Sequence, residues 1–589
     1  MFQDTDKFYY QHCLAYHVKR EGGYQIAQLR NMNELRGGLL IEGLENINNM
    51  EEAMKAKLKK KHHIKHLHLR WTDKVDGCKH DVGEQVLEAL QPHPNLNYLT
   101  IEGYMGSISP SWLMTLALQN LQSIFLDKCR NWARLPSALG LLPSLKKLIL
   151  VDIDNITIEG DDFMIEMFPS LELLELRKAI VSFEGMSSLL SSSSSSLTTQ
   201  GRRKLFPCLQ QLIVEECDGV NGLPWSMLSA LGKLEIIASH GLQGQMPRCF
   251  QNLISLSELY IQELKIETSA IGTQQQQGLL PNLRKIDIAC CENISFMQGL
   301  LLGVPSLEKL TIYRCSPVSL PALGHLSFLT DISLEEVEVR VEEDLTPAFP
   351  SLCTLHLMKA SVLFQNLSSS VTTQNHNCFP KLTALRIREC DQVNGLHWPL
   401  FSALQYLFLI NSPGVDHQLP GCLHGLSSLL TLDLTGAKIK ALSVEVMVTL
   451  HALQYLHLQN CNELISMDGL QALPSLKQLF IVACPKFRSW CTEEKTEHGI
   501  SLPNLHQMYI HSCEGLESLP AWLPHFPSLE SLHILNCPKF HSLPEGGLPS
   551  SLLKLDIIEC DQGLMERCLQ EGSLEWLMIQ QIPGRNYIY

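Results

Sequence analysis

The chain has 589 residues, of which 45% are hydrophobic, and its formal net charge is −15. The negative charge argues against a general nucleic-acid-binding surface, and the absence of any run of about 18 apolar residues argues against a membrane span. No apolar signal segment stands near the start, so we expect a cytoplasmic protein, with the nucleus as a second location, whose 20 cysteines are reduced thiols.

The beginning of the chain predicts a cap followed by two short helices on the outer side of a repeat array. Residues 1–34 are polar and mixed, which is typical of a segment that covers the first exposed edge. A degenerate repeat unit follows at Leu39–Ile41–Leu44, and the next strand is predicted at Leu67–Leu69. Helical spacing predicts one helix from Met50 (Met50, Ala53, Met54, Leu58) and a second over 81–91 (Val82, Val86, Leu87, Leu90).

Short alternations of apolar and polar residues then recur along the rest of the chain. Most spacings lie between 22 and 31 residues, and with the first two units the count is 22. Each alternation predicts a short strand with one buried face. The predicted strands contain Leu99, Ile124, Leu148, Leu174, Leu212, Leu234, Leu259, Ile286, Leu310, Ile332, Leu355, Leu385, Leu407, Leu432, Leu456, Leu479, Met508, Leu532, Leu555 and Leu577.

The clearest unit occurs twice within 505–544, at a constant offset of 24 residues. Its pattern, L-x-x-L-x-L-x-x-C-x-x-L-x-x-L, is that of a leucine-rich repeat. One repeat cannot cover its own apolar face, so neighbouring repeats must stack at the strand spacing of about 4.8 Å. We therefore predict an α/β leucine-rich repeat solenoid of horseshoe shape with about 22 repeats, parallel strands on the concave face, and irregular turns and short helices on the convex face.

Ten cysteines share the position just after the predicted strand. Cysteine is small, tolerates burial and is a weak S–H donor, so we predict a structural ladder that satisfies backbone groups of the turn. Neighbours such as Cys461 and Cys484 would also lie within disulfide range, but reduced thiols keep the donor. The predicted ladder comprises Cys129, Cys217, Cys291, Cys315, Cys390, Cys461, Cys484, Cys513, Cys537 and Cys560.

A block of several repeats is duplicated. Residues 168–183 resemble 349–364, and 206–225 resemble 379–398. The Ser-rich stretch 187–200 indicates a loop between the blocks of the first copy, and the run Gln274–Gln277 indicates another loop. Duplication of repeats suits an interaction surface better than a catalytic pocket, which gains nothing from additional repeats.

The predicted domains follow from these patterns. They are a cap over 1–34, a solenoid over 35–582 and a C-terminal tail over 583–589. Within the solenoid lie a first block with two convex helices (35–180), the duplicated block (168–412) and the regular Cys-type repeats (430–582).

These features resemble the C-terminal leucine-rich repeat region of plant intracellular nucleotide-binding disease resistance proteins of the coiled-coil class. The resemblance rests on units such as LHILNCPKFHSLP and on 25–71, which resembles the segment that opens the repeat region after the nucleotide-binding switch, and it covers about residues 21 to 582. The phosphate-binding G-x-x-x-x-G-K-[ST] motif and the Met-His-Asp signature of the switch do not occur in this chain. Nucleotide binding is therefore not transferred from the family, and no cofactor is expected.

The resemblance implies a plant immune recognition module that binds pathogen-derived or host proteins on its concave face. Outward-pointing strand residues in the last third of the chain form a predicted partner-binding column of Phe408, Asp433, His457, Phe480, Tyr509 and His533. Exposed aromatic residues in a row are typical anchors for protein partners, although isolated surface aromatics are also normal.

A second candidate is a basic group near the start of the array. Its members are Lys57, Lys59, Lys60, Lys61, His66, His68 and Arg70. By resemblance, the acidic surface that it docks belongs to a nucleotide-binding switch domain, in cis or in trans; the alternative is a solvated helix end. No Cys or carboxylate stands at ligand spacing beside the histidines, so no metal site is predicted.

No catalytic motif is present, and we predict that the chain is not an enzyme. One alternative is a leucine-rich repeat substrate adaptor for ubiquitin ligation, or another protein-interaction scaffold. An adaptor of that kind needs an F-box-like helical domain, for which 1–34 is too short. An extracellular repeat receptor is a further alternative, supported by GLQGQMP (241–247) alone.

Overall fold

The structure, a computed structural model, describes residues 13–19, 24–72, 80–159, 166–184, 204–242, 250–264, 280–294, 296–320, 323–341, 349–364, 379–394, 396, 398, 401–419, 421–490 and 502–588. The chain divides into two compact units, Met1–Pro305 and Ser306–Tyr589. The loops predicted at 187–200 and Gln274–Gln277 lie outside the described residues.

The first unit contains a ladder of parallel strands. Successive strands pair in register, and alternate apolar residues such as Leu148 and Leu150 are buried. The period of two places these residues on one side of every strand. The ladder strands are Cys13–His17, Gly37–Glu42, Ile64–Arg70, Tyr98–Glu102, Ser123–Asp127, Lys147–Glu159, Leu173–Glu184, Gln211–Glu215, Lys233–Ile237, Glu258–Gln262 and Lys285–Ala289.

The segments between these strands carry short helices. The helix Met50–Met54 starts where the Asn49 side chain accepts a hydrogen bond of 2.9 Å from the backbone N–H of Glu52. The other α-helices described are His80–Ala89 and Phe296–Leu302, and the 3-10 helices are Ile26–Asn31, Leu44–Asn46, Leu58–Lys60, Leu116–Leu118, Ser137–Leu141, Trp225–Met227, His240–Leu242 and Phe250–Asn252. Short extra strands are Arg134–Leu135, Glu166–Met167, Lys204–Leu205 and Gly219–Asn221.

The second unit repeats the same plan. Its ladder strands also pair in parallel and in register. They are Lys309–Tyr313, Asp331–Glu335, Thr354–Met358, Ala384–Arg388, Tyr406–Ile410, Thr431–Thr435, Tyr455–Gln459, Gln478–Val482, Gln507–His511, Ser531–Leu535, Lys554–Ile558 and Gly584–Ile588. In both units we call the side of the ladder opposite the buried leucines the ladder face.

The segments between the strands of the second unit include a second parallel sheet. It consists of Val318–Leu320, Glu338–Val341, Ser361–Phe364 and Gln392–Asn394. The α-helices described are Pro413–Asp416, Val444–Met447, Gln562–Leu569 and Leu574–Ile579, and the 3-10 helices are Gly421–Leu423, Val448–Leu450, Leu470–Ala472 and Leu523–His525.

The duplicated sequences build the same aromatic stack in each unit. In the first unit the rings of Phe168 and Phe206 are stacked with centroids 5.0 Å apart. In the second unit Phe349 and Phe379 are stacked at the same separation of 5.0 Å. Each ring precedes a ladder strand, so the copied block kept its packing as well as its sequence.

The ten ladder cysteines lie at equivalent places in the stack. All are buried except Cys560, which is partly exposed. Each Sγ lies near the carbonyl oxygen two residues earlier, as Cys129 does at 3.4 Å from Asp127 and Cys484 at 3.4 Å from Val482. Most of them also approach a carbonyl of the preceding ladder strand, for example Cys461 at 3.1 Å from Leu434. The thiols therefore act as weak donors at the point where the chain leaves the ladder.

The predicted repeat fold, with its parallel strands and short helices in the returning segments, is confirmed in both units. The predicted strands from Leu39 to Leu555 all coincide with ladder strands. Two further ladder strands lie in segments predicted as cap and tail, namely Cys13–His17 and Gly584–Ile588.

Two local predictions were wrong. The strand expected at Leu577 is a helix, Leu574–Ile579, because the side chain of Ser573 caps it by accepting a hydrogen bond of 3.0 Å from the N–H of Trp576. Met54 was assigned to the buried face of the first helix but is 55% exposed, because that helix ends at Met54 and the chain tightens into the 3-10 helix Leu58–Lys60.

Candidate functional site

The parallel register of the second unit brings the predicted partner-binding residues together. Phe408, Asp433, His457, Phe480, Tyr509 and His533 are direct neighbours on six consecutive strands of the ladder face. We call this set the aromatic column. Adjacent strands of a parallel ladder are about 4.8 Å apart, so each member stands beside the next.

The rings at the centre of the aromatic column form a continuous surface. The centroids of His457 and Phe480 are 6.0 Å apart in an edge-on arrangement. Phe480 and Tyr509 follow at 5.9 Å, and Tyr509 and His533 at 5.7 Å. Such spacing lies within the range of favourable aromatic pairs, so the rings hold one another in place before any partner binds.

An aspartate fixes the histidine at each end of this ring series. Nδ1 of His457 lies 2.9 Å from Oδ2 of Asp433, whose other oxygen accepts a hydrogen bond of 2.7 Å from Thr435. Nδ1 of His533 lies 2.7 Å from Oδ2 of Asp556. Because both imidazoles use Nδ1 toward a carboxylate, their orientation is set and their Nε2 atoms remain for other contacts.

Asp556 was not among the predicted site residues. It occupies the next position of the same column and accepts a hydrogen bond of 2.9 Å from Asn586. Burial opposes ionisation, but the hydrogen bonds from Asn586 and His533 lower the pKa of Asp556 below its ordinary value. The alternation in LDI (555–557) places Asp556 outward and would have identified it, had the column been extended by one strand.

The neighbouring columns add some apolar surface, interspersed with polar residues such as Gln478 and Gln507. On one side Val482, Leu535 and Ile558 are partly exposed. On the other side Tyr406 and Tyr455 are each 40% exposed. A partly exposed aromatic centre with mixed apolar and polar neighbours and polar ends has the composition of a protein-binding surface.

The predicted basic group does not form one patch. Lys61 is completely buried, and its Nζ donates to the carbonyl oxygens of Leu29 at 2.6 Å and Met32 at 2.9 Å, so it cannot dock a partner. Lys57, Lys59 and Lys60 lie at the 3-10 helix Leu58–Lys60, away from the ladder strand.

The remaining members of that group lie on the strand Ile64–Arg70 and are engaged within the chain. His68 is buried and lies 3.0 Å from Glu102. Arg70 pairs with Glu102 at 3.2 Å and with Glu42 at 3.7 Å, and His66 stacks on Tyr98 at 4.2 Å. The residues of the basic group therefore lie in three different places. Lys61 is buried, Lys57, Lys59 and Lys60 lie in a turn away from the ladder, and the others lie on the strand Ile64–Arg70.

Burial makes several of the ladder thiols poorly suited to chemistry. Burial raises the pKa of Cys129 to about 12 and that of Cys217 to about 11, which keeps both protonated at neutral pH. The described cysteines form no disulfide. In the part of the chain that the structure describes, no three His, Cys, Asp or Glu side chains are grouped so that they could hold a metal ion.

No helix within the described ranges combines the length and the apolar character that crossing a membrane requires.

Part of the chain matches a known family of repeats, and most of it is similar to plant disease resistance proteins. Residues 26–153 match the family model described as R13L1/DRL21 leucine-rich repeats. A disease resistance protein of Arabidopsis thaliana is 25% identical over 92% of this chain and 44% of its own length. Disease resistance protein RGA2 of Solanum bulbocastanum is 32% identical over 41% of this chain and 24% of its own length. The chain thus spans less than half the length of these relatives.

The chain also resembles several solved structures, among them a leucine-rich repeat protein and a plant hormone receptor. One from Leptospira interrogans is 19% identical, with a TM-score of 0.35 and coverage of 80% of this chain and 93% of the other. The plant peptide hormone receptor RGFR1, solved in complex with RGF2, is 13% identical, with a TM-score of 0.33 and coverage of 98% and 97%.

Proposed function

We propose, on the premise that this chain is a leucine-rich repeat region similar to those of plant disease resistance proteins, that it is a recognition module of plant defence. It binds a pathogen-derived protein, or a host protein, through the ladder face of its second unit. The fold and the relatives support a non-catalytic module that acts in the cytoplasm, where nucleotide-binding resistance proteins are expected to work.

The observation that carries this proposal is the aromatic column. Its four consecutive rings from His457 to His533 contact their neighbours, are largely or partly buried, and are held at both ends by Asp–His pairs. Little side-chain entropy is therefore lost when a partner covers them. Binding energy in protein interfaces concentrates in such rigid aromatic clusters. Side chains on a surface that binds nothing are not usually held in place by so many contacts with one another.

The test is a binding screen of secreted pathogen proteins and host proteins against the full chain, followed by the double variant Phe480→Ala/Tyr509→Ala. We expect the variant to weaken binding of an identified protein by about 30-fold or more, which corresponds to about 2 kcal/mol for a central aromatic anchor. Isothermal titration calorimetry provides the dissociation constants.

Phe328→Ala is the matched control for this test. Phe328 is 60% exposed but precedes the strand Asp331–Glu335 and is not part of the ladder face. Its removal leaves affinity unchanged if binding uses the column. Equal affinities of the wild type and the double variant would remove the aromatic column from the proposal.

We also propose a contact with a nucleotide-binding switch domain, in cis or in trans. It uses Lys57, Lys59 and Lys60, of which Lys59 and Lys60 are exposed. Charge reversal of these three lysines would abolish co-purification with such a domain if they form the contact.

A further inference from the structure

An exposed cation lies beside the first member of the aromatic column. Arg386 precedes Phe408 on the ladder face, on the adjacent strand Ala384–Arg388. Its guanidinium carbon lies 4.7 Å from the centroid of the Phe408 ring. The side chain is exposed, and no carboxylate of the described residues forms an ion pair with it. The ring therefore orients the guanidinium but leaves its N–H donors available.

Two carboxylates in this part of the ladder, those of Glu389 and Asp433, are already engaged by other groups. Glu389 accepts from Nε of Arg388 at 3.0 Å and lies 3.8 Å from Nζ of Lys359. Asp433, two strands further along the column, is held by His457 and Thr435. Pairing of Arg386 with either of these two carboxylates would therefore compete with an existing contact.

On its other side Arg386 faces an imidazole. His356 is its direct neighbour in the register. Burial, and then the charge of Arg386, lower the pKa of His356 below its ordinary value. A neutral imidazole can share hydrogen bonding with an incoming anion, and it adds no second charge next to the guanidinium.

We propose that the protein recognised by the aromatic column presents an acidic side chain to Arg386 while an apolar or aromatic side chain of the same segment rests on Phe480 and Tyr509. The guanidinium fork binds a carboxylate through two parallel hydrogen bonds, which a neutral side chain cannot match. This inference depends on the proposed function and adds the chemistry of the partner to it.

The ladder sets the distance between the two contacts. Arg386 and Phe480 are separated by four strand steps, or about 19 Å at about 4.8 Å per step. An extended segment advances about 3.3 Å per residue, so the acidic and the apolar residue stand about six positions apart. A linear peptide of about 12 residues is long enough to reach both.

The experiment selects phage-displayed random peptides of that length on the full chain and compares residue enrichment among variants. On the wild type we expect an aromatic or aliphatic residue together with Asp or Glu about six positions away. On Arg386→Gln the aromatic enrichment should persist and the acidic enrichment should vanish. The matched control is Arg488→Gln, which removes the same charge from an exposed residue that lies outside the ladder strands.

A selected peptide then allows a double-mutant cycle. Arg386→Gln alone and an acid-to-amide change in the peptide alone should each weaken binding about fivefold, and their combination should weaken it no further. Arg386→Lys should restore only part of the affinity, because an ammonium lacks the bidentate fork.

The outcomes distinguish a failure of the Arg386 contact from a failure of the proposed binding surface. Aromatic enrichment without acidic enrichment, or additive effects in the cycle, overturns the role of Arg386 while the proposed binding surface stands. If the same residues are enriched on Phe480→Ala/Tyr509→Ala as on the wild type, the proposed binding surface is overturned, and the role of Arg386 with it. Selection of peptides with basic residues in place of acidic ones would also overturn the proposed contact with Arg386.

Discussion

At the scale of single residues, Lys61 shows that a lysine can join two parts of a core. Its Nζ donates to the carbonyl oxygens of Leu29 and Met32, which lie at the end of the 3-10 helix Ile26–Asn31. The amine thereby supplies donors that this helix end lacks. Burial lowers the pKa of Lys61 below its ordinary value.

We predict that Lys61→Met destabilises the first repeats by about 1–3 kcal/mol, because the buried carbonyl group of Leu29 and the partly buried one of Met32 lose their donor. A pH effect accompanies this loss. Between the lowered pKa and the ordinary value of 10.5, the unfolded chain binds more protons than the folded chain, so wild-type stability rises with pH across that window. In Lys61→Met this contribution is absent. Urea unfolding followed by tryptophan fluorescence, at neutral and at alkaline pH, measures both effects.

The exposed neighbour Lys60 provides the control for this prediction. Lys60→Met should change stability by less than about 0.5 kcal/mol and should keep the wild-type pH dependence. An identical pH dependence in Lys61→Met and the wild type would contradict the role assigned to the buried amine.

Sequence reasoning at the residue scale fails where burial depends on distant parts of the chain. Lys59, Lys60 and Lys61 are consecutive lysines, yet only Lys61 points toward carbonyl groups some 30 residues earlier, which no local pattern reveals. Arg386 was missed for a related reason: it looks like an ordinary surface charge until the register places Phe408 beside it.

At the scale of elements, the period of two made the ladder strands and the aromatic column predictable. Tyr509 and His533 were assigned outward from the alternation alone, and the parallel register makes them neighbours. The end of the array was not predictable in this way. Apolar residues at Leu574, Leu577 and Ile579 satisfy a loose repeat pattern, but the Ser573 cap and the acidic first turn at Glu575 favour a helix. The ladder strand then falls at Gly584–Ile588, beyond the last leucine of the pattern.

The positions that follow the ladder strands show a second limit. Ala483, Ser512 and Asn536 have positive φ values of 50°, 53° and 53°. Glycine or asparagine is favoured in this conformation, yet alanine, serine and charged residues occupy most of these turns. The turn is imposed by stacking on the neighbouring repeats, so local propensity gives no signal for it.

At the scale of the whole molecule, the stability of a repeat array depends mainly on contacts between neighbouring repeats. Leu456 is completely buried, and the register places it between Leu432 and Leu479 of the adjacent strands. A strand in the first unit, such as Tyr98–Glu102, makes the same kind of contact with its own neighbours. Damage at one strand should therefore propagate to the next strands and weaken with distance.

We predict that Leu456→Ala costs about 2–5 kcal/mol at its own repeat, since it removes a fully buried side chain and leaves a cavity. Hydrogen exchange should accelerate at Tyr455–Gln459 and at the adjacent strands Thr431–Thr435 and Gln478–Val482, while Tyr98–Glu102 retains its protection. In the reciprocal variant Leu99→Ala, hydrogen exchange should accelerate at Tyr98–Glu102 and its adjacent strands, while Tyr455–Gln459 retains its protection. Uniform loss of protection along the whole chain in either variant would show that the array unfolds as one cooperative body. A local response would mean that a partner covering the aromatic column stabilises mainly the repeats that it contacts, so exchange protection can also locate the binding surface.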